Sequence, residues 1–125
     1  MAIDTTTLSH FVGGAWLSES EGEHTPDVNP SDATQVLAQV PQAGPQTLDR
    51  AAEAATSAFR PWSRGTGQAR ADVLHKAANV LAARRDEFAG LMASEVGKPI
   101  GEAGMEADRG VMILRYFAEE AVRPN

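Results

Sequence analysis

Strand signals confined to the first 41 residues, with helical periodicity from Pro45 to Val122, predict either an α+β fold or an incomplete α/β fold. Three observations carry this. Between Phe11 and Val40 the larger apolar residues come in short runs broken by Gly-Gly and Asn-Pro turn pairs. Beyond Pro45 they recur three and four residues apart. The period changes once, at Gly44-Pro45, and no strand pattern returns.

Residues 1–9 are expected to be a flexible N-terminus, and residues 10–125 a single partial domain. Phe11-Val12, Gly13-Gly14 and Ala15-Trp16-Leu17 read as a β-hairpin, because paired glycines supply the positive φ angles of a tight turn. Ser18 to Glu23 reads as a polar loop. Asp27-Val28 leads into Asn29-Pro30-Ser31-Asp32, where proline fixes φ and the Asn and Asp side chains reach nearby backbone. Val36 to Val40 is a short strand that Pro41 is expected to stop.

Four helices follow. Pro45 suits a first helical position, and the first stripe is Leu48, Ala51, Ala52, Ala55, Phe59 and Trp62, with Pro61 expected to end or bend the helix. Thr66 is the expected N-cap of the second helix, whose stripe is Val73, Leu74, Ala77 and Leu81. Asp86 caps or opens the third, which carries Phe88, Leu91 and Met92 and closes at Gly97 before Pro99. The fourth runs from about Gly101 to Val122, with Met105, Met112, Ile113, Tyr116 and Phe117 expected inward.

Composition excludes several functions. The net charge is −6, and the Arg84-Arg85 and Arg60/Arg64 pairs sit beside acids, so no basic patch exists to displace phosphate counterions: no nucleic-acid partner is expected. The N-terminus has neither a basic region nor an apolar run, and no stretch is apolar enough to cross a bilayer: no membrane partner is expected. There is no cysteine, which removes disulfides, thiolate metal sites and any thiol nucleophile, and fits a cytoplasmic setting.

The search for chemistry is otherwise negative. Gly65-Thr66-Gly67 offers two glycines of a dinucleotide fingerprint, but Arg70 holds the third place and no strand precedes it. Gly97-Lys98 resembles the end of a phosphate-binding loop, but Pro99 stands where a hydroxyl would hold magnesium. His10, His24 and His75 match no ligand spacing, and His75 reads as a half-exposed packing residue. Glu102 and Glu106 share a helix face, which in an acidic chain is a solvated face; Lys98 is expected to pair with a carboxylate. No catalytic and no cofactor-binding residue is assigned.

Taken in order, several segments resemble the aldehyde dehydrogenase superfamily. They are Phe11 to Trp16; Val28-Asn29-Pro30 with Val36 to Pro41; and Leu48 to Ala51 running to Phe59-Arg60-Pro61-Trp62. Arg70, Leu74, Ala78, Leu81, Arg85, Glu87 and Leu91 continue the match, and Glu95-Val96-Gly97-Lys98-Pro99 with Glu102-Ala103 is its most distinctive stretch. The match covers roughly residues 10 to 121. Ile113 to Glu120 is similar to semialdehyde-oxidising members.

The resemblance selects the incomplete α/β fold: a hairpin and short strands, then about four helices, forming the outer part of a coenzyme-binding domain. It implies a parent enzyme, homo-oligomeric, that oxidises an aldehyde to an acid with NAD or NADP through a cysteine nucleophile and a glutamate. Neither region is matched here, so the 125 residues, read as a fragment or truncated product, are expected to be inactive alone. The other reading is a free-standing binding or assembly module derived from such an enzyme. The resemblance also implies a monovalent cation, Na+ or K+, held by the backbone carbonyls of Asp27 and Val28 and by the carboxylate of Glu95. If the helices rest on parts of a fold not present, Phe59, Trp62, Phe88, Leu91, Ile113 and Phe117 lose partners worth roughly 1.5–3 kcal/mol each. Domains are stable by only about 5–15 kcal/mol. A marginal, sticky or oligomeric chain is therefore expected.

Overall fold

A computed structural model describes residues 6–17 and 22–124. Of the expected flexible terminus, residues 1–5 lie outside these, as do residues 18–21 of the expected polar loop. The chain divides into two compact units, Met1–Ser63 and Arg64–Asn125.

In the first unit, β1 (Thr6–Thr7) pairs in parallel with β5 (Val36–Pro41), and β4 (His24–Val28) pairs antiparallel on the other side, giving the order β1-β5-β4. Pro41 does not stop β5 but is its last residue, opposite His24. Pro26 is tolerated because β4 is an edge strand, where a missing amide donor costs no ladder bond on the open side. The register slips between Asp27 and Val28, which face Ala38 and Val36, so Leu37 is the extra residue of a bulge.

The Asn29–Gln35 connection is held by its own side chains. The Ser31 amide donates to Asn29 Oδ1 at 2.9 Å, the Thr34 amide to Asp32 Oδ1 at 3.1 Å, and Asn29 Nδ2 to Gln35 Oε1 at 2.8 Å. A separate hairpin, β2 (Phe11–Val12) and β3 (Ala15–Trp16), turns on Gly13 and Gly14 with φ of 61° and 84°, values an L side chain resists. Its cross-strand pair Phe11/Trp16 has ring centroids 4.9 Å apart. Helix α1 (Pro45–Arg64) lies close by, for a Cβ at Gly13 would touch Ala54 at 3.6 Å. Pro61 does not end α1. It removes only its own amide bond near the C-terminal end, and the helix runs on to Arg64.

The second unit is a three-helix packing. Helix α2 (Gly67–Ala83) starts at Thr66, whose hydroxyl accepts from the Ala69 amide at 3.1 Å, as expected of the N-cap. Helix α3 (Arg85–Val96) begins after the single residue Arg84, and Asp86 lies in its first turn with Glu87, favourably placed for the helix dipole. Gly97, at φ 73°, closes α3 and donates its amide to Ala93 O at 3.1 Å. Helix α4 (Ile100–Val122) is the longest element.

Helices α2 and α4 are antiparallel: Gly67 abuts Ala121, while Leu81 abuts Gly110. Small residues dominate their seam, with Leu81 set against Gly110. Ala71 and Ala78 on α2, and Ala103, Gly104, Ala107, Val111 and Ala118 on α4, are all buried. Among the described residues no large side chain is fully buried. Here the sequence expectation fails. Met105, Met112, Ile113, Tyr116 and Phe117 do not point inward; Met112 is 66% exposed and Phe117 56%. Helix α4 is apolar on two faces, and the small-residue face takes the packing because it lets backbones approach closely. Val73, Leu91, Phe59 and Trp62 are exposed as well.

Gly67 is the tightest point of the seam. A Cβ there would lie 2.2 Å from the Ala121 carbonyl oxygen. Gly67→Ala should therefore destabilise the chain by about 1–3 kcal/mol in urea titration, since overpacking forces backbone movement. Gly90→Ala, where a Cβ meets nothing within 4 Å, should gain about 0.5–1 kcal/mol from helix propensity.

Candidate functional site

The Glu95-Val96-Gly97-Lys98-Pro99 stretch joins α3 to α4 and places charges along one side of α4. Gly97 takes the left-handed conformation that terminates α3, and Pro99 precedes the first turn of α4, its carbonyl accepting from the Ala103 amide at 3.0 Å. Between them Lys98, half-buried, donates from Nζ to Glu106 Oε2, the carboxylate partner expected from the sequence. Lys98, Glu102, Met105, Glu106, Asp108 and Arg109 line a shallow open groove.

A second clasp joins the start of α3 to the middle of α4. Arg85 donates from Nε to Asp108 Oδ1 at 2.9 Å and from Nη2 to Asp108 Oδ2 at 3.0 Å, a planar fork matched to a carboxylate. Its Nη1 also reaches Asp86 at 2.9 Å. The guanidinium passes over Gly104, where a Cβ would come within 2.6 Å of Nη2. The pair is 23 residues apart, and its one mark in the sequence is a small residue at Gly104, one turn before Asp108.

The electrostatics follow from these contacts. Hydrogen bonding from Arg85 holds the Asp108 carboxyl below the usual carboxylate range, and the same contacts with Asp108 and Asp86 raise the Arg85 guanidinium. Arg84, which donates from Nε to Glu87 Oε2 at 2.7 Å, likewise lowers Glu87. A general acid–base group working near neutrality needs its carboxyl raised. These shifts run the other way, so the clasp is structural.

The other sequence candidates are dispersed. Asp27 and Val28 sit half-buried at the bulge of β4, and Glu95 is exposed in the last turn of α3; they belong to different units. His75 is half-exposed, as expected, and faces Glu119, Nε2 to Oε1 at 3.3 Å. His24 lies in β4 opposite Pro41. Among the described residues, no three His, Asp or Glu side chains cluster as metal ligands, and no helix is long and apolar enough to cross a membrane. Gly65-Thr66-Gly67 forms a helix cap, and Gly67 packs against Ala121. It is a packing glycine, since a Cβ there would lie 2.2 Å from the Ala121 carbonyl oxygen.

The sequence profile of the aldehyde dehydrogenase family matches residues 16–125. The chain belongs to the aldehyde dehydrogenase family. It is 37% identical to 3-sulfolactaldehyde dehydrogenase of Pseudomonas putida over 90% of its own length and 23% of that protein's. It is 32% identical to α-ketoglutaric semialdehyde dehydrogenase of Bacillus subtilis over 96% of its length and 25% of that protein's. Among solved structures it superposes on an NAD-dependent benzaldehyde dehydrogenase from Corynebacterium glutamicum with a TM-score of 0.86 and 29% identity, covering 97% of this chain and 26% of that one. The chain thus spans about a quarter of the aldehyde dehydrogenases it matches, and its strands and four helices correspond to their N-terminal part.

The Arg85–Asp108 clasp has a readable pH signature. Because the folded-state value of Asp108 is depressed, its contribution to stability is present above the unfolded carboxylate value and is lost as pH falls through the folded one. Carboxyl-carbon NMR titration should place the Asp108 midpoint below that of an ordinary aspartate, and Arg85→Ala should return it to the ordinary range. An unshifted midpoint in the unmodified chain would show that the clasp does not form in solution.

Proposed function

We propose that this chain is the N-terminal portion of a cytoplasmic, homo-oligomeric oxidoreductase that oxidises an aldehyde, of the semialdehyde class, to a carboxylic acid with NAD or NADP, and that the 125 residues alone do not turn over. The observation that carries the reading is the family match over residues 16–125 in a chain spanning a quarter of its relatives and containing no cysteine. The substrate class is suggested by the relatives: α-ketoglutaric semialdehyde dehydrogenase is one, and 2-hydroxymuconic semialdehyde dehydrogenase of Pseudomonas, 35% identical, is another.

The residues present do not fit a nicotinamide cofactor. Among the described residues no glycine-rich turn leads from a strand into a helix N-terminus, and Gly67, the nearest candidate, packs against the Ala121 carbonyl. What this part contributes is scaffold: the hairpin on α1, the α2–α4 seam and the clasp from α3.

The cation reading belongs with this proposal. The Asp27 and Val28 carbonyls and the Glu95 carboxylate are hard oxygen donors suited to Na+ or K+.

Two measurements test these readings. The purified chain, offered NAD+ or NADP+ with a panel of aldehydes and semialdehydes, should produce no reduced cofactor at 340 nm; turnover that survives repurification contradicts the proposal. Replacing choline by Na+ or K+ at constant ionic strength should raise the thermal midpoint by a few degrees, and Glu95→Ala should abolish the rise. An equal response in the variant removes Glu95 from the cation site.

A further inference from the structure

The shallow groove on α4 holds an unused cation. In the second unit Arg84, Arg85, Lys98 and Arg123 each hold a carboxylate, and Arg70 donates to the Gly65 carbonyl at 2.6 Å. Among the described residues the side chains of Arg64, Lys76, Arg109 and Arg115 have no such partner, and of these only Arg109 lines the groove. The acids nearest to it are already taken, Glu106 by Lys98 and Asp108 by Arg85. Successive helical residues turn by roughly 100°, so Met105, Arg109 and Met112 share one stripe of α4 within an arc of roughly 60°. Glu106 lies on one flank of that stripe and Asp108 on the other. The two methionines are 64% and 66% exposed. Arg109 thus stands between two unbranched apolar side chains, roughly 6 Å along the axis from Met105 and roughly 4.5 Å from Met112.

We propose that Arg109 holds the carboxylate at the far end of a semialdehyde substrate, with Met105 and Met112 against the short carbon chain behind it. The inference rests on the semialdehyde reading above and names the residue that selects that class. A planar guanidinium fork matches the two oxygens of a carboxylate and keeps its charge at every working pH. Methionine, flexible and polarisable, moulds to a methylene chain without imposing one shape. Glu102 is the other charge of the groove without a side-chain partner among the described residues. It lies about 10 Å back along the axis from Arg109. There it repels an acid group, so the carboxylate is directed to the Arg109 end.

The test titrates the purified chain with glutarate, a five-carbon dicarboxylate, at ionic strength held constant with choline chloride, and follows side-chain NMR signals. The Arg109 Nε–H and the Met105 and Met112 methyl groups should shift together and saturate. Arg115, exposed and unpaired but outside the groove, serves as the internal control and should respond far less. Glutaramide, the uncharged counterpart, should leave all of these signals in place. Arg109→Gln should weaken the methyl response about fivefold, the scale of one exposed fork-shaped ion pair, and Arg109→Lys should fall between, having the charge without the fork. An Arg115 response equal to that of Arg109, equal shifts with glutaramide, or an unchanged response in Arg109→Gln would each overturn the inference. The first two are read on the unmodified chain, so they decide the matter even where a variant does not fold. Glutarate has no aldehyde and needs no cofactor. Failure to bind it therefore counts against Arg109 alone, whereas reduced cofactor formed by the chain counts against the functional reading alone.

Discussion

The close approach of α2 to α4 is the constraint on which the second unit depends. Antiparallel helices normally separate by the width of the side chains between them. Here Gly67 lies against the Ala121 carbonyl and Leu81 against Gly110, with Ala71 and Ala78 buried on α2 and Ala107 and Ala118 on α4. Gly104, having no side chain, leaves room for the Arg85 guanidinium to cross α4 and fork onto Asp108, which ties in α3. The close seam also fixes where the large residues go. With the inner face occupied by alanine and glycine, methionine, isoleucine and the aromatics are left outside.

This division explains what the sequence revealed and what it hid. Local signals were reliable: Gly13-Gly14 turned the hairpin, Thr66 capped α2, Gly97 closed α3, and Asn29 and Asp32 folded their turn by reaching their own backbone. Each is decided within four residues, so no distant partner can override it. The inward face of α4 was misread because hydrophobicity alone favours Met105, Met112 and Phe117, whereas packing in this unit is decided by size. A helix apolar on both sides gives two candidate faces, and only knowledge of its neighbour chooses between them.

The same logic limits what could be read of the site. The Glu95–Pro99 stretch and the Lys98 ion pair were legible, since Lys98 had carboxylates within two turns along α4. The Arg85–Asp108 clasp was not, because a contact 23 residues apart leaves no periodic trace. Strands β1 and β4 were under-read for a related reason: a two-residue strand, and a strand containing Pro26, lack the alternation that marks a sheet, and pairing with β5 is what makes them strands. Family membership, by contrast, came from the order of many weak segments, none decisive alone, and the match over residues 16–125 agrees with it.

The folded chain buries little large apolar surface and leaves most of it exposed. Heat capacity reports that quantity directly. An ordinary domain of this length has an unfolding ΔCp of roughly 1.5–1.9 kcal/mol/K, from about 12–15 cal/mol/K per residue. Differential scanning calorimetry of the isolated chain at several concentrations should give a value well below that range, with a broad transition. A sharp, concentration-independent transition carrying the full ΔCp would mean instead that Met112, Phe117 and their neighbours are buried in the chain's own core.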